Sequence, residues 1–324
     1  MTGLRRYIAV RILLLLFVIF CIMTIMFGLI KFMPGDPTTV FFDSNYSQEM
    51  VERQKKQWGL TDPLMVQYRR YLKNMATFDF GNSFFQIQPV RQIVLSKLLN
   101  TTVMMVPALI LSCLLGTFLG GAAGWRRGSK FESATVTTSL FLRSAPSFFV
   151  GILVLMVFCY KLRWLPSGGM ITPGSTAGFW STIFSLDFLK HLILPTLVLT
   201  SREITGPTML LRTSMLEVKG SEFLDLLRAK GLPEFHIIRH ATRNAMIPLV
   251  TYIAVMTGLT FQGQVLLEII FAWPGIGREI VTALNDLDYP VAQGAFYLMS
   301  LTILAMNFVA DLLYGFIDPR ITYD

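Results

Sequence analysis

Ile12 to Ile30 is a run of apolar residues without a single charge. As a helix rising 1.5 Å per residue, it crosses roughly 30 Å of hydrocarbon. Because lipid offers the backbone no hydrogen-bond partners, such a run has to be helical. Five further stretches are predominantly apolar, although the last four contain one to three charged residues each: Thr101 to Gly124, Ser133 to Tyr160, Leu189 to Leu211, Ile247 to Ala272 and Val291 to Ile317. The sequence therefore predicts an all-α membrane protein with six transmembrane helices.

The composition supports a membrane protein. Hydrophobic residues make up 53% of the chain and charged residues 15%, with a mean hydropathy of +0.56, whereas soluble domains contain about 25% charged residues. The formal net charge is +8, which we attribute to cytoplasmic loops rather than to nucleic-acid binding. The first apolar run is too long for a cleaved signal peptide and lacks a clear cleavage site, so we treat it as the first span.

Basic residues predict the orientation of the spans. Short segments assigned to the inside carry Arg5, Arg6, Arg11, Arg126, Arg127, Lys130, Arg212, Lys219, Arg228, Lys230, Arg239, Arg243 and Arg320. The short outside loops hold only Lys161, Arg163, Lys190 and Arg278. Cytoplasmic loops are enriched in Lys and Arg, and long loops are discounted in this comparison. Both termini are therefore predicted to be cytoplasmic.

The spans divide the chain into four segments. They are a cytoplasmic tail and first span (1–33), an extracytoplasmic loop (34–97), a five-span core with a cytoplasmic loop at 212–246 (98–317) and a cytoplasmic tail (318–324). In the extracytoplasmic loop we expect one helix from about Ser47 to Gly59, a second capped by Asp62 and Pro63, and a third opening at Pro89. This loop is either a substrate-contacting element or only a stabilising lid, and the sequence does not favour one over the other.

The cytoplasmic loop contains a polar stretch from Ser221 to Pro248 between two apolar segments. Phe223, Leu224 and Leu227 predict a short helix with one apolar and one charged face. Gly231 ends this helix, and Pro233 prevents its continuation. Such a helix suits docking to a soluble partner. The alternative is an ordinary solvated loop whose charge only reflects topology.

This stretch resembles the loop by which permease subunits of ABC importers engage their ATPases, in particular the dipeptide/oligopeptide type and its first permease subunit. The matching residues are Arg228 to Leu232, Arg239 to Ala241, Arg243 to Ala245 and Pro248. Asp225, Leu226 and Leu227 stand where the broader importer pattern has Glu-Ala-Ala, which is a departure. Further similar motifs are Met33 to Pro37, Asp79 to Ser83, Phe271 to Gly277, Asp288 to Pro290 and Asp318 to Ile321.

The resemblance implies a type I ABC importer permease fold in the cytoplasmic membrane of a prokaryote. It implies a second homologous permease subunit, two cytoplasmic ABC ATPase subunits and an extracytoplasmic binding protein that delivers peptides; membrane lipid surrounds the chain, and no nucleic acid is involved. The residues implied to contact the ATPase are Glu222, Phe223, Leu224, Asp225, Leu227, Arg228, Ala229, Lys230 and Gly231. The residues implied to form a re-entry turn before the last span are Trp273, Pro274, Gly275 and Gly277, with the tryptophan expected at the membrane surface.

The sequence lacks the residues that other functions need. It contains no Gly-x-x-x-x-Gly-Lys-Ser/Thr motif, so we expect ATP and Mg²⁺ on the partner ATPases, no cofactor in this chain and no enzymatic activity. His236 and His240 lack a third ligand, so no metal site is predicted. The three cysteines lie in apolar spans and are read as buried hydrophobes. A secondary transporter would show inverted repeats and more intramembrane acids, and a membrane enzyme would need a catalytic constellation. Importers of nickel, metal chelates or oligosaccharides remain open alternatives.

Charged residues inside the spans mark a candidate substrate path. Arg143 interrupts the third span, and Arg202 and Glu203 interrupt the fourth at a similar depth. Glu268 completes this candidate set. Ionisable groups in hydrocarbon are costly and are functional by default. They either bind a peptide's carboxylate and amine or pair with one another, in which case we expect Arg143 to face Glu203 while Arg202 lies on another face.

Small residues recur every fourth position in the second span. Gly116, Gly120 and Gly124 form this register. Small residues at that spacing let two helices approach closely, because lipid provides little hydrophobic drive between spans. We interpret this stripe as a helix-packing surface rather than as a gate.

Overall fold

The computed structural model describes residues 2–32, 48–57, 59–174, 178–249, 252–253, 256 and 265–317. Within these ranges the regular structure is helical, apart from one isolated bridge between Asn82 and Pro89. The helices are α1 (Thr2–Phe32), α2 (Gln48–Gln57), α3 (Leu64–Ala76), α4 (Val90–Trp125), α5 (Lys130–Ser144), α6 (Ser147–Leu155), α7 (Phe179–Ile183), α8 (Leu186–Glu203), α9 (Thr205–Lys219), α10 (Glu222–Ala229), α11 (Glu234–Ala245), α12 (Val265–Ile270), α13 (Ile276–Asn285) and α14 (Tyr289–Ile317). The predicted motifs at 33–37 and 318–321 lie outside the described residues.

Three described helices are long and apolar enough to cross a membrane by themselves: 6–32, 90–125 and 289–312. Together, 130–144 and 147–161 make a fourth candidate, which bends by 95° between its two halves. These four correspond to the predicted first, second, sixth and third spans. The predicted fourth span is divided into α8 and α9 at Ile204, and the middle of the predicted fifth, 257–264, lies outside the described residues. The all-α fold is confirmed.

The described residues form two compact units. The first contains those of 1–101 and 274–308, and the second those of 102–273 and 309–321. In the first unit α3 packs on α1, where the Thr24 and Tyr68 hydroxyls hydrogen-bond at 2.7 Å. The predicted helix after Asp62 begins at Leu64 with Pro63 as its N-cap, and Asp62 pairs with Arg70 instead of capping the helix.

A buried carboxylate joins two of the predicted motifs in the first unit. Asp288 accepts hydrogen bonds from the Ser83 hydroxyl and from the backbone N–H groups of Phe84 and Phe85, the latter two at 3.2 and 3.3 Å. Asp288 is 2% exposed, so these donors replace the water that it loses. The segment that precedes α4 is thereby fixed to the start of α14.

The glycine stripe of α4 packs against the start of α9 in the second unit. A Cβ at Gly116 would lie 2.8 Å from the Pro207 Cβ, and one at Gly124 would lie 2.7 Å from the Met215 Cβ. A Cβ at Gly120 would overlap the Thr208 carbonyl. Any side chain at these positions would push the helices apart, so the packing interpretation of the stripe is confirmed.

Candidate functional site

The inner face of α10 is part of the hydrophobic core of the second unit. Leu224 is completely buried and Leu227 is partly buried. They pack against two neighbouring helices, α9 and α11, through Leu211, Met215, Ile237, Ala241 and Ala245. Since this cluster belongs to one chain, Leu224 is unavailable for burial in a partner. Both leucines hold α10 in place.

The outer face of α10 carries two large exposed apolar side chains. Phe223 is 39% exposed and Leu226 is 55% exposed. Asp225 and Arg228 are also exposed and pair at 2.9 Å on a different part of the helix surface. The prediction grouped Phe223 with Leu224 on a single apolar face; that grouping is wrong because adjacent helical residues diverge by about 100°. The i, i+3 spacing of Phe223 and Leu226 was the signal for this second apolar strip, and the sequence reading missed it.

The turn after α10 has the geometry predicted for Gly231. Its φ is +73°, the left-handed conformation in which glycine ends a helix, and the predicted end of the helix is confirmed. The Gly231 N–H donates to the Arg228 carbonyl at 2.9 Å, and the Leu232 N–H donates to the Leu227 carbonyl at 3.3 Å. These bonds satisfy carbonyls at the end of the helix. The space around a would-be Cβ is empty to 4 Å, so backbone conformation alone demands glycine here.

Trp125 ties this loop to the end of α4. Its indole N–H donates to Glu234 Oε1 at 3.3 Å, at the start of α11. Lys219 Nζ donates to the Trp125 carbonyl at 2.6 Å and lies 5.3 Å from the centre of its ring. In the structure Trp125 joins the α9–α10 and α10–α11 connections to the helix that carries the glycine stripe.

An ion pair sets the register of α5 against α9. Glu132 accepts hydrogen bonds from Arg212 Nε at 2.8 Å and from the Gly128 N–H at 2.6 Å. Farther along, the Thr205 hydroxyl donates to the Ser139 carbonyl at 2.7 Å, a buried contact. Seven residues separate the two contacts on each helix, so the helices run antiparallel in register. The sequence reading did not single out Glu132 or Ser139, because neither belongs to a local motif.

This register brings Arg143 and Glu203 to similar heights. Arg143 lies eleven residues beyond Glu132, and Glu203 lies nine residues before Arg212, or roughly 16 and 13 Å along helix axes. Each stands where its helix breaks: Arg143 is followed by the bend between α5 and α6, and Glu203 is the last residue of α8. The two residues therefore lie at similar heights along the packed helices.

The pairing of these charges differs from the prediction. Arg202 Nε lies 3.7 Å from Glu203 Oε1, so Glu203 pairs with its own neighbour. Among the described residues, no ion pair links Arg143 to Glu203. The Tyr252 hydroxyl lies against Gly206, in the first turn of α9. Tyr252 comes from the next predicted span and was not among the predicted site residues. A tyrosine in an apolar span gives no local sign of the residues that it meets.

Two further predicted residues, Glu268 and Trp273, are buried. Glu268 is 1% exposed within α12, whereas Arg143 and Arg202 are exposed. Trp273 was expected at the membrane surface, but it is completely buried, with its ring centre 5.9 Å from that of Phe188. Its indole contributes to packing rather than to interfacial anchoring.

The turn after Trp273 is held by the start of α4 in the first unit. The Asn100 amide donates to the Pro274 carbonyl at 2.9 Å, and Thr101 Oγ1 accepts from the Ile276 N–H at 2.9 Å. Gly275 is the N-cap of α13, and Gly277 is buried in its first turn. The proline and glycines thus form a tight, well-anchored turn.

Metal ligands do not gather in the part of the chain that the structure describes. No group of three His, Cys, Asp or Glu side chains there could hold a metal ion. His236 and His240 lie on the exposed side of α11, where one helix offers two nitrogens and no third ligand.

Comparison with known proteins shows the family. Residues 114–323 match the family described as the inner membrane component of binding-protein-dependent transport systems, and residues 4–105 match the N-terminal part of such membrane components. The chain is 33% identical over 320 residues to the oligopeptide transport system permease protein AppB of Bacillus subtilis (strain 168), covering 98% of this chain and 99% of AppB. It is 34% identical over 329 residues to the dipeptide transport system permease protein DppB of Alkalihalophilus pseudofirmus, covering 97% and 99%. The chain belongs to the binding-protein-dependent transport system inner membrane component family.

Proposed function

We propose that this chain is the transmembrane permease subunit of an ABC importer that carries peptides. An extracytoplasmic binding protein delivers the peptide, and two separate ATPase subunits supply the energy. Relatives named as oligopeptide and dipeptide permeases over nearly their whole length support a peptide substrate. ATP and Mg²⁺ bind to the ATPases, so this chain is a transport subunit and has no catalytic site of its own.

The proposed topology has six spans in the inner membrane with both termini in the cytoplasm. In this arrangement the segment between α1 and α4 is extracytoplasmic, and α10 with α11 is cytoplasmic. The excess of Lys and Arg in the segments assigned to the cytoplasm supports this orientation. The bent α5–α6 pair serves as the third span, and α8 with α9 serves as the fourth.

The exposed strip of α10 is the observation that carries the proposal. Phe223 and Leu226 lie on a helix whose opposite face is fixed to α9 and α11. Apolar side chains exposed on an anchored cytoplasmic helix fit the groove of a soluble partner. Because Leu224 and Leu227 are used internally, Phe223 and Leu226 with Asp225 and Arg228 form the proposed ATPase contact.

The exposed charges of α5 and α8 support a second homologous permease subunit. Arg143 and Arg202 are exposed on this chain at a depth where lipid would otherwise surround them. Charges in spans face a bundle interior or a water-filled path because hydrocarbon exposure is costly. We therefore assign Arg143, Arg202 and Glu203 to the substrate path between two permeases. The buried Glu268 belongs to the same proposed path only as a supporting residue.

Reconstitution tests the proposal. The chain is co-expressed with the ATPases, second permease and binding protein from the same source, purified through a tag on this chain, and placed in proteoliposomes. We expect the ATPases to co-purify with this chain. Peptide uptake should require ATP on the side of the membrane that carries the ATPases. An ATPase variant that lacks its catalytic acid is the control. Uptake that follows a proton gradient without ATP, or a chain that captures no ATPase, would contradict the proposal and favour a secondary transporter.

A further inference from the structure

α3 packs against α1 inside the uncharged run of that span. The Tyr68 and Thr24 hydroxyls hydrogen-bond at 2.7 Å, and the ring centre of Tyr68 lies 5.2 Å from that of Phe27. Thr24 comes six residues before Ile30, the last residue of the uncharged run, which is about 9 Å along the helix axis. α3 therefore meets α1 within the apolar part of the span, and at this level the two helices have the same surroundings.

The first turn of α3 points back along the span. Tyr68, in the second turn of α3, contacts Thr24. Later in α3, Asn74 lines the same cavity as Lys31, the next-to-last residue of α1. Later residues of α3 thus accompany later residues of α1. The residues that precede Tyr68 are accordingly directed away from the end of α1 and towards the middle of the span.

Three apolar side chains are exposed in this first turn. Leu64 is 61% exposed, Met65 is 60% exposed and Val66 is 45% exposed. We call these three residues the α3 tip. The loop before the tip turns back along α3, because Gln67 Nε2 donates to the Leu60 carbonyl at 3.1 Å. The tip therefore protrudes from the first unit with its apolar side chains outward.

Basic residues follow the tip along α3. Arg69 and Lys73 are exposed, and they lie roughly 6 and 12 Å beyond Met65 along the helix axis. An apolar segment next to exposed Lys and Arg is typical of a helix at a membrane surface, where the apolar side chains enter the acyl region and the cations stay among the headgroups. A soluble binding protein docks above the membrane, whereas the tip is directed along the span. Phospholipid is therefore the partner that this arrangement favours.

We propose that the α3 tip inserts among the acyl chains of the outer leaflet and that Arg69 and Lys73 bind the phosphates of the same lipids. The proposed orientation of the chain assigns the tip to the outer leaflet. This insertion goes beyond the transport function, because it attaches the extracytoplasmic segment to the membrane at a second place besides α1. Cover by a second permease subunit and exposure to water are the competing arrangements.

Fluorescent probes on the assembled importer in lipid nanodiscs test the proposal. Single cysteines are introduced as Met65→Cys and, two turns later as the matched control, Lys73→Cys. The three native cysteines are replaced by alanine, and each new cysteine is labelled with a nitrobenzoxadiazole fluorophore. Quenching by a lipid with a nitroxide on its acyl chain is compared with quenching by iodide in the buffer. We expect the ratio of nitroxide to iodide quenching to be several-fold higher for Met65→Cys than for Lys73→Cys.

A lipid with its nitroxide on the headgroup locates the basic residues. It should quench the Lys73→Cys probe more strongly than the acyl-chain nitroxide does, because position 73 is expected at the level of the phosphates. A stronger effect of the acyl-chain nitroxide at this position would contradict the assignment of Arg69 and Lys73 to the headgroups.

Every other outcome at the tip counts against insertion. Equal ratios at the two positions would mean that the tip is in water, and a Met65→Cys probe that neither quencher reaches would mean that a protein subunit covers it. Leu64→Cys repeats the measurement at a second tip position and decides the question if Met65→Cys does not assemble, as judged by co-purification of the ATPases. None of these measurements requires peptide uptake, so the proposed function is tested separately.

Discussion

Alanine substitutions at Leu224 and Leu226 should separate the two faces of α10. The two residues have the same side chain and lie in the same helix two positions apart, so each is a control for the other. Leu224 is completely buried, and Leu226 is 55% exposed. Leu224→Ala should destabilise the loop, whereas Leu226→Ala should leave the loop folded and weaken only the proposed contact with the ATPase.

The structure sets the size of both effects. Leu224 contacts a cluster formed by α9 and α11, and truncating a buried leucine costs about 2–5 kcal/mol, the transfer term plus the cavity. A partner can bury only the part of the Leu226 side chain that is still exposed, which is about half of it. Full burial of a leucine contributes about 1.5–3 kcal/mol, so half of it contributes about 1 kcal/mol, or about a fivefold change in affinity.

Two measurements on the purified chain test this reasoning. Thermal unfolding followed by scanning fluorimetry should show a lower Tm for Leu224→Ala and an unchanged Tm for Leu226→Ala. Titration with the ATPase should give about a fivefold higher Kd for Leu226→Ala. Equal decreases of Tm in both variants would mean that Leu226 is buried in the loop as Leu224 is, rather than exposed on α10. Normal ATPase affinity in a stable Leu226→Ala variant would remove this strip from the contact.

Three further predictions concern topology, helix packing and the turn. A single cysteine at Gln86 should react with an impermeant reagent added to intact cells, and one at Glu234 should react only after permeabilisation; labelling of position 234 from outside would reverse the assignment. Gly120→Ala should lower the Tm because its Cβ would overlap a backbone carbonyl, whereas Gly121→Ala, whose nearest neighbour is 3.5 Å away, should not; equal Tm values would refute the packing account. Gly231→Val should abolish ATP-coupled uptake at normal membrane abundance. Gly231→Asn should retain most of the uptake, because asparagine tolerates a positive φ. Uptake by Gly231→Val at the wild-type rate would exclude a requirement for this turn.

Features that depend on neighbouring residues could be predicted from the sequence. The apolar run from Ile12 to Ile30 lies within α1, because lipid and chain length together permit only a helix there. The positive φ of Gly231 follows from a helix that ends before a proline. One boundary was less well predicted. The expected third loop helix and the second span form one continuous helix, α4, because no helix-breaking residue lies between Pro89 and Thr101.

Features that depend on the path of the chain were decided by the tertiary structure. Asp288 meets Ser83 from 205 positions away, and the Tyr252 hydroxyl meets Gly206 from another predicted span. The sequence marked Arg143 and Glu203 by the cost of charge in hydrocarbon, but it could not say which groups neutralise them. The periodicity of the sequence predicts that α10 has two different faces. Only the packing of α10 against α9 and α11 determines that Leu224 is buried and Leu226 is exposed. The physical reason is that helix formation depends on local hydrogen bonds, and partner choice depends on contacts between residues far apart in the chain.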